Sequence, residues 1–161
     1  MANRSETFIS LRHLAKGILA EMTVKATVEH VWRILTSFEE MPAHLSNLKN
    51  CKVLKREGSY RLVEQAARVG TPLLPFPFRV VMDVVEERPF LYFNQRHGSF
   101  TSFSGHWRVE PDAASSGSRV RYYLEASFGQ GWSGRALRRQ FRRLIRQNLQ
   151  ELAAWMDNGG I

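Results

Sequence analysis

The sequence predicts an α+β fold in which a curved antiparallel sheet of about seven strands wraps around one long C-terminal helix. Three observations lead to this prediction. Six strand-like segments follow one another between Cys51 and Phe128, a strand and a helix precede them, and a long helical pattern follows Gly131. The turns between the six segments are shorter than the dozen or more residues of a parallel crossover, so neighbouring strands should run antiparallel. A sheet with one apolar face needs a cover, and only the last helix is long enough to supply it.

A chain of 161 residues is long enough for one domain with its own core. We place this domain at residues 20–161, with residues 1–19 as an N-terminal extension. Apolar residues recur at helical spacing between Phe8 and Leu19, which predicts a short surface helix. An interfacial anchor on a membrane or a frayed leader are the alternatives for this segment.

The first predicted strand runs directly into the first predicted helix. Apolar and polar residues alternate from Met22 to Ala26, as in a strand with one buried face. Thr27 then occupies a helix N-cap position, and apolar residues recur at helical spacing up to Phe38. Pro42 ends or bends this helix, and a short second helix or an irregular continuation should follow.

Six further strands are predicted, with turn-forming residues between them. They are residues 51–57, 60–69, 78–87, 90–97, 100–110 and 119–128. Gly58 and Ser59 predict a hairpin between the first two strands. The segment from Gly70 to Pro77 is too rich in proline for a central strand, so an unusually apolar loop is expected there.

The predicted final helix is amphipathic and about 25 residues long. Its apolar side carries Leu137, Phe141, Leu144, Ile145, Asn148, Leu152, Trp155 and Met156. Its opposite side carries Arg135, Arg138, Arg139, Arg142 and Arg146, with Arg143 near the border. Gly159 and Gly160 end the helix.

The chain is strongly basic, and the charge is unevenly placed. Lys and Arg exceed Asp and Glu by 8. Residues 130–161 carry half of this excess, with six arginines against two carboxylates. Such a balance points to an anionic partner such as phosphate, lipid headgroups or nucleic acid. Nucleic-acid binders more often spread their cations over a surface with stacking aromatic residues, so we expect one basic helix face instead.

The cellular setting follows from cysteine usage and hydropathy. The single cysteine, Cys51, excludes an internal disulfide and a zinc site built on thiolates. No stretch reaches the roughly 18 apolar residues of a membrane-spanning helix, and the N-terminus lacks the features of a secretory signal. We therefore expect a cytoplasmic protein that either stays free or associates peripherally with a membrane.

Three stretches and the last helix resemble sequences of one known family. The stretches are Ala26-Thr27-Val28-Glu29-His30-Val31-Trp32 with Phe38 and Pro42, Gly98-Ser99-Phe100, and Gly105-His106-Trp107-Arg108-Val109. Over about residues 20–157 the chain resembles the START-like SRPBCC superfamily, which has the helix-grip fold. It is most similar to the polyketide cyclase/dehydrase and coenzyme Q-binding branch. The resemblance implies a cavity between sheet and helix for one hydrophobic molecule, such as a quinone, an isoprenoid or another lipid.

Nine residues are expected to line this cavity, although each of them also suits an ordinary core. They are Phe93, Phe103, Gly105, Trp107, Tyr122, Leu124, Phe141, Ile145 and Asn148. Strand alternation directs several of them to one face, and Gly105 leaves room among larger neighbours. Asn148 places an amide on an apolar helix face, and a buried amide needs a partner. That partner is a ligand carbonyl, the Tyr122 hydroxyl or a backbone group.

Alternation does not decide which side chains of the strand at residues 90–97 turn inward. One parity turns Tyr92 and Asn94 toward the core, and the other turns Gln95 and His97 toward it.

A second set of residues is expected to dock on an anionic membrane. It consists of Leu73, Leu74, Phe76, Phe78, Trp132, Arg135, Arg138, Arg139 and Arg142. Aromatic insertion would add to lipid attraction of about 1 kcal/mol for each basic residue near the surface. The alternative is a solvated arginine face beside a loop that folds back onto the core.

The sequence carries no motif for metal, nucleotide or hydrolase chemistry. Its five histidines lack metal-binding spacing, and no GxSxG, GxxxxGK[ST] or GxGxxG segment occurs. We therefore expect no metal and no other cofactor. Arg79, Asp83 and Glu64 do not make a committed acid–base pair. A non-catalytic binding protein is favoured, a polyketide-type cyclase or dehydratase is the alternative, and RNA or ribosome association through the arginine helix is a third interpretation.

Overall fold

The computed structural model describes residues 7–71, 74–127 and 134–158, with the backbone alone at 69–71, 74–76 and 134–138. The strands of this part are β1 (Ile9–His13), β2 (Ile18–Val24), β3 (Leu48–Glu57), β4 (Tyr60–Thr71), β5 (Leu74–Glu87), β6 (Phe90–Gly98), β7 (Ser102–Pro111) and β8 (Ser118–Ser127). The helices are α1 (Val28–Leu35), α2 (Met41–His44) and α3 (Gly134–Asn158), with a 3₁₀ helix at Phe38–Glu40.

The strands form one antiparallel sheet in the order β1-β2-β8-β7-β6-β5-β4-β3. Strands that follow one another in the chain are neighbours in the sheet, except that β2 pairs with β8 and not with β3. This pairing brings the N-terminal strands next to the last strand. The sheet is curved and unclosed, and α3 packs on its concave side over the apolar core. The α+β helix-grip prediction is confirmed, with eight strands where about seven were expected.

The helix predicted between Phe8 and Leu19 is wrong, because this segment supplies the additional strand. β1 pairs with β2 from Ile9 opposite Met22 to His13 opposite Ile18. Ile9 is buried in the core at 3% exposure. In so short a segment the apolar residues fit both a helical and a strand period, and the open edge of β2 supplies the hydrogen bonds that select the strand.

The apolar loop predicted at residues 70–77 is also wrong. β4 and β5 pair with each other along both described parts of this segment. β6 pairs with β5 only from Val80 onward, so the stretch before Val80 has a neighbouring strand on one side alone. Pro75 and Pro77 lie in that stretch, where a missing backbone N–H interrupts no second ladder.

The first helix begins where the sequence predicts it. The Thr27 side chain accepts a hydrogen bond of 3.3 Å from the His30 backbone N–H, which makes Thr27 the N-cap. Trp32 is 1% exposed and carries this helix into the core. Pro42 starts α2 instead of ending α1, as suits a residue whose missing N–H is unused in a first helical turn.

The final helix has the predicted length of 25 residues and the predicted two faces. Its buried side chains include Phe141, Ile145, Leu149, Leu152 and Met156. Its exposed side chains include Arg139, Arg142, Arg143 and Arg146. Across the described ranges, no helix combines the length and the hydropathy that membrane crossing requires.

Candidate ligand-binding site

A cavity of about 140 Å³ lies between the concave face of the sheet and α3. The segment from α1 to α2 closes one side with Leu35, Phe38 and Met41. Strands β4 to β8 form the floor, and α3 covers it with Ile145 and other side chains of its apolar face. The cavity therefore occupies the place that the predicted ligand pocket requires.

Aromatic rings form a continuous wall along the cavity. The ring centroids of Trp107 and Tyr122 lie 4.3 Å apart, and those of Tyr122 and Phe93 lie 5.8 Å apart. Phe93 then contacts Phe103 at 5.5 Å. Such a wall presents flat, polarisable surfaces to a ligand and suits a planar ring.

Asn148 brings an amide into this apolar space. Its Oδ1 atom is buried and has no hydrogen-bond partner within the part of the chain that the structure describes. Of the partners considered from the sequence, neither the Tyr122 hydroxyl nor a described backbone group meets it. An unpaired buried polar atom is unfavourable by about 1–3 kcal/mol, so this oxygen is a ready acceptor for a ligand.

Tyr122 is the second polar group on the cavity wall. Burial alone raises the pKa of its phenol well above the ordinary value, so the hydroxyl stays protonated throughout the neutral range. The half-buried side chain lines the cavity. Tyr122 can therefore donate a hydrogen bond to a ligand oxygen, but it is a weak general base.

The remaining polar side chains of the lining already have partners. Asn47 donates through Nδ2 to Gln147 Oε1 at 3.2 Å, which ties the segment after α2 to α3. Gln65 donates through Nε2 to the Sγ atom of Cys51 at 3.5 Å. Burial raises the pKa of the Cys51 thiol to about 11, so the thiol is neutral and unreactive near neutral pH. These contacts are structural.

Six of the nine residues expected to line the cavity lie together there. They are Phe93, Phe103, Trp107, Tyr122, Ile145 and Asn148. Gly105 lies outside the lining. A Cβ atom at this position would collide with the Tyr123 carbonyl oxygen and come within 2.9 Å of Phe93 Cζ, so the Tyr123 backbone and the Phe93 ring take up the room that Gly105 leaves. Leu124 and Phe141 line a separate cavity at the β1–β2 turn.

The structure decides the parity of β6. Phe93 is buried at 7% exposure, and Gln95 on the same side donates to the Phe100 carbonyl at 2.9 Å. Tyr92 and Asn94 lie on the opposite, convex face. His97 is exposed near the strand end.

Sequence reasoning missed most of the residues that reach the cavity from the helical segment and the first strands. These include Leu35, Phe38, Met41, Leu45, Asn47, Leu48 and Gln65. The signal that could have identified some of them is the helical spacing of Leu35 and Phe38. Met82 and Val84, which alternate on one face of β5, also line the cavity.

The residues expected to dock on a membrane fall into three groups. Phe78 is corrected to a core residue, since it is 8% exposed and stacks on Phe100 with 5.0 Å between ring centroids. Leu73 and Trp132 lie outside the described residues, and the structure describes only the backbone of Leu74, Phe76, Arg135 and Arg138. Arg139 and Arg142 are exposed.

The arginines of α3 differ from several arginines of the sheet in their pairing. Sheet arginines form ion pairs such as Arg96 with Asp83 at 2.8 Å and Arg108 with Glu110 at 2.5 Å. On α3, no described carboxylate lies within 4.0 Å of four exposed arginines. These are Arg139, Arg142, Arg143 and Arg146. The α3 surface thus presents positive charge that described acidic groups leave unpaired.

Polar groups elsewhere on the sheet form no acid–base pair at the cavity. Asp83 accepts from the Tyr60 hydroxyl at 2.5 Å and from Arg96, and both contacts lower the pKa of the carboxyl. Glu64 pairs with Arg79. In residues 7–71, 74–127 and 134–158, no three His, Cys, Asp or Glu side chains come together as metal ligands would.

Comparison with solved structures finds the same fold in proteins of several bacteria. A STAR-related lipid transfer protein from Xanthomonas axonopodis superposes with a TM-score of 0.77 at 14% identity, covering 97% of this chain and 96% of that one. The Zhui aromatase/cyclase from Streptomyces sp. R1128 superposes with a TM-score of 0.75 at 13% identity, covering 94% and 99%. A Thermus thermophilus protein is 23% identical, with a TM-score of 0.70 and coverage of 83% and 89%.

No curated protein has a matching sequence. One family model does match, described as polyketide cyclase/dehydrase and lipid transport. The expected START-like membership is thereby confirmed, while the coenzyme Q-binding branch stays a prediction. Because the match spans residues 24–153, well over half of the chain, the protein belongs to the polyketide cyclase/dehydrase and lipid transport family.

Proposed function

We propose that the protein binds one hydrophobic small molecule, such as a quinone, an isoprenoid or another lipid, in the cavity beneath α3. The observation that carries this proposal is the unpaired Asn148 Oδ1 atom inside an otherwise apolar lining. A ligand hydrogen bond would recover about the 1–3 kcal/mol that an unsatisfied buried polar atom forfeits. Apolar contact with the walls supplies most of the affinity, and the polar contacts orient the ligand.

The size and chemistry of the cavity favour a ligand that inserts one ring. The cavity volume of about 140 Å³ is close to the ~150 Å³ of an engineered cavity that binds benzene. The Asn148 amide and the Tyr122 hydroxyl can donate to carbonyl oxygens or accept from hydroxyl groups. A planar ring with a hydroxyl group and a second oxygen, as in a reduced quinone head, meets both requirements, because its hydroxyl can donate to Asn148 Oδ1 and its other oxygen can accept from the Tyr122 hydroxyl. Any tail must extend out of the cavity.

Mass spectrometry of the bound compound tests this proposal. The protein is purified gently from its native host and extracted with organic solvent, beside the variants Asn148→Leu and Gln150→Leu. Gln150 is exposed on the same helix and is the matched control. One dominant apolar compound should leave the wild type and Gln150→Leu at near-stoichiometric yield, and Asn148→Leu should yield far less. Empty extracts, or equal yields from all three proteins, would contradict the proposal.

We infer further that α3 holds the loaded protein at an anionic membrane. The support is the group of exposed arginines without described carboxylate partners, each worth about 1 kcal/mol near an anionic surface. Vesicles with and without phosphatidylserine test this inference. The double variant Arg139→Gln/Arg142→Gln should lose retention on the anionic vesicles, and Lys49→Gln/Lys52→Gln on β3 should not. Retention of RNA in place of vesicles would overturn the inference and favour the nucleic-acid interpretation.

A cyclase or dehydratase that uses the same cavity is the second candidate. The protonated Tyr122 hydroxyl favours it, since a buried phenol can donate to the carbonyl of a polyketide-like chain. Incubation before the solvent extraction separates the two functions. A carrier returns its ligand unchanged after prolonged incubation. An enzyme converts an added poly-β-ketone, and Tyr122→Phe slows this reaction.

A further inference from the structure

A second cavity of about 210 Å³ lies beside the first, between the β1–β2 turn, β8 and α3. Leu124, Ala126 and Phe141 form its apolar wall. The turn residues from His13 to Ile18 form its other side and include the basic side chains of His13 and Lys16. The first cavity has neutral polar groups, so the two cavities differ in the chemistry that they offer a ligand.

The two cavities are lined by successive positions of the same two elements, β8 and α3. Tyr122 lines the first cavity and Leu124 lines the second, two residues and about 7 Å further along β8. On α3, Ile145 lines the first cavity and Phe141 lines the second, one helical turn away. This spacing is short enough for one elongated ligand to reach from one lining to the other.

A chain of aromatic ring contacts links the linings of the two cavities. Phe141 lies 5.9 Å from Phe100, and Phe100 lies 4.8 Å from Phe103, between ring centroids. Phe103 belongs to the lining of the first cavity. The two linings are therefore joined by aromatic surface, against which a planar ligand can stack.

The β1–β2 turn is built to lie close to β8. Leu14 donates its backbone N–H to the Gly17 carbonyl at 2.8 Å and closes the turn. A Cβ atom on Gly17 would collide with the Leu124 carbonyl oxygen, so glycine alone permits this approach. The close approach keeps Lys16 at the rim of the second cavity.

Several cationic side chains lie at or near this rim. Lys16 has no carboxylate partner among the described residues. Arg146 donates through Nη1 to the Ile9 carbonyl at 3.1 Å, which sets the arginine face of α3 along β1. Arg142 lies one turn nearer to the second cavity on that face. One acidic side chain also adjoins the turn, since Glu125 Cγ would lie 3.1 Å from a Cβ atom on Gly17, but its carboxylate accepts from the Tyr123 hydroxyl at 2.5 Å and lines the convex surface.

We propose that the second cavity binds an anionic group of the ligand, with Lys16 as its principal partner and His13 beside it. The proposal rests on the proposed function, because the same ligand places its planar apolar part in the first cavity. The natural ligand would then be an amphipathic anion, a hydrophobic ring or chain that ends in a carboxylate or phosphate. Lys16 sets the preference for this class over neutral lipids.

Two fluorescent dyes that differ by one anionic group test this proposal. 8-Anilinonaphthalene-1-sulfonate carries a sulfonate, and N-phenyl-1-naphthylamine has the same rings without it. Both are titrated against ligand-free protein at low ionic strength. The sulfonate dye should bind roughly three- to fivefold more tightly, the size expected for an exposed ion pair. Lys16→Gln should abolish this preference and leave the affinity of the neutral dye unchanged.

Lys52→Gln is the matched control, because Lys52 is an exposed lysine on β3. It should retain the preference. The anion site would be overturned if the wild type bound the two dyes with equal affinity, or if the preference survived Lys16→Gln. The first cavity would still bind the neutral dye in either case. Asn148→Leu should weaken both dyes alike. If neither dye bound, or if Asn148→Leu changed nothing, the proposed function and this inference would fail together.

Discussion

Replacing Asn148 by leucine should make the ligand-free protein more stable, although Asn148 belongs to the binding site. The substitution removes a buried amide oxygen that has no described partner, which recovers about 1–3 kcal/mol. The new side chain meets the apolar surfaces of Ile145, Leu149 and Leu152, which line the same cavity. Leucine is also the better helix former by a few tenths of a kcal/mol.

Some overpacking opposes this gain, because leucine is branched where asparagine is flat, but the adjoining cavity of about 140 Å³ leaves space for it. We expect a net increase of about 2 kcal/mol in the free energy of unfolding. For a domain of this size that increase corresponds to a rise in Tm of about 4–8 °C. Ligand binding should weaken at the same time, so stability and affinity should change in opposite directions.

Urea titration and thermal denaturation of ligand-free protein measure the effect. Gln150→Leu is the control, and an exposed substitution of this kind should stay within about 0.5 kcal/mol of the wild type. A fall in the unfolding free energy of Asn148→Leu by 1 kcal/mol or more would refute the reasoning. It would mean that the Asn148 amide has a structural partner in solution and is not held ready for a ligand.

Three further substitutions or treatments have defined outcomes. Gly105→Ala should lower the unfolding free energy by about 1–3 kcal/mol, because its Cβ would meet the Tyr123 carbonyl; unchanged urea denaturation would contradict the packing. Thr27→Ala should lower it by about 1 kcal/mol through loss of the cap on His30 N–H, and Thr27→Ser should retain most of it. Cys51, with its pKa raised to about 11, should react with a disulfide reagent at pH 8 only after unfolding, and stability should fall as pH rises from the thiol's ordinary value of 9.0 toward that value; rapid labelling of the folded protein would refute its burial.

Most of the fold could be predicted because short-range rules govern its elements. Alternation of apolar residues, short turns and one N-cap located the six strands from β3 to β8 and the start of α1. The final helix followed from apolar residues at helical spacing, and its length of 25 residues was confirmed. These signals work because backbone geometry alone sets the side-chain periods of 2 and 3.6.

The errors occur where a neighbouring strand decides the outcome. Residues 9–13 form a strand because β2 offers an unpaired edge beside them, and their own apolar spacing fits a helix as well. Residues 74–77 remain in β5 despite two prolines, because β6 ends before it reaches them. Both outcomes depend on residues far away in the chain, so local patterns could not decide them.

By itself the sequence determined the α+β class, the order of most elements, the apolar and basic faces of α3, and six residues of the cavity wall. The tertiary structure alone decided that the Tyr123 backbone and the Phe93 ring take up the space left by Gly105, that Phe78 is buried, and that Leu124 and Phe141 belong to a second cavity. The physical reason is that periodicity sets which way a side chain points, whereas empty space depends on how side chains from different elements meet.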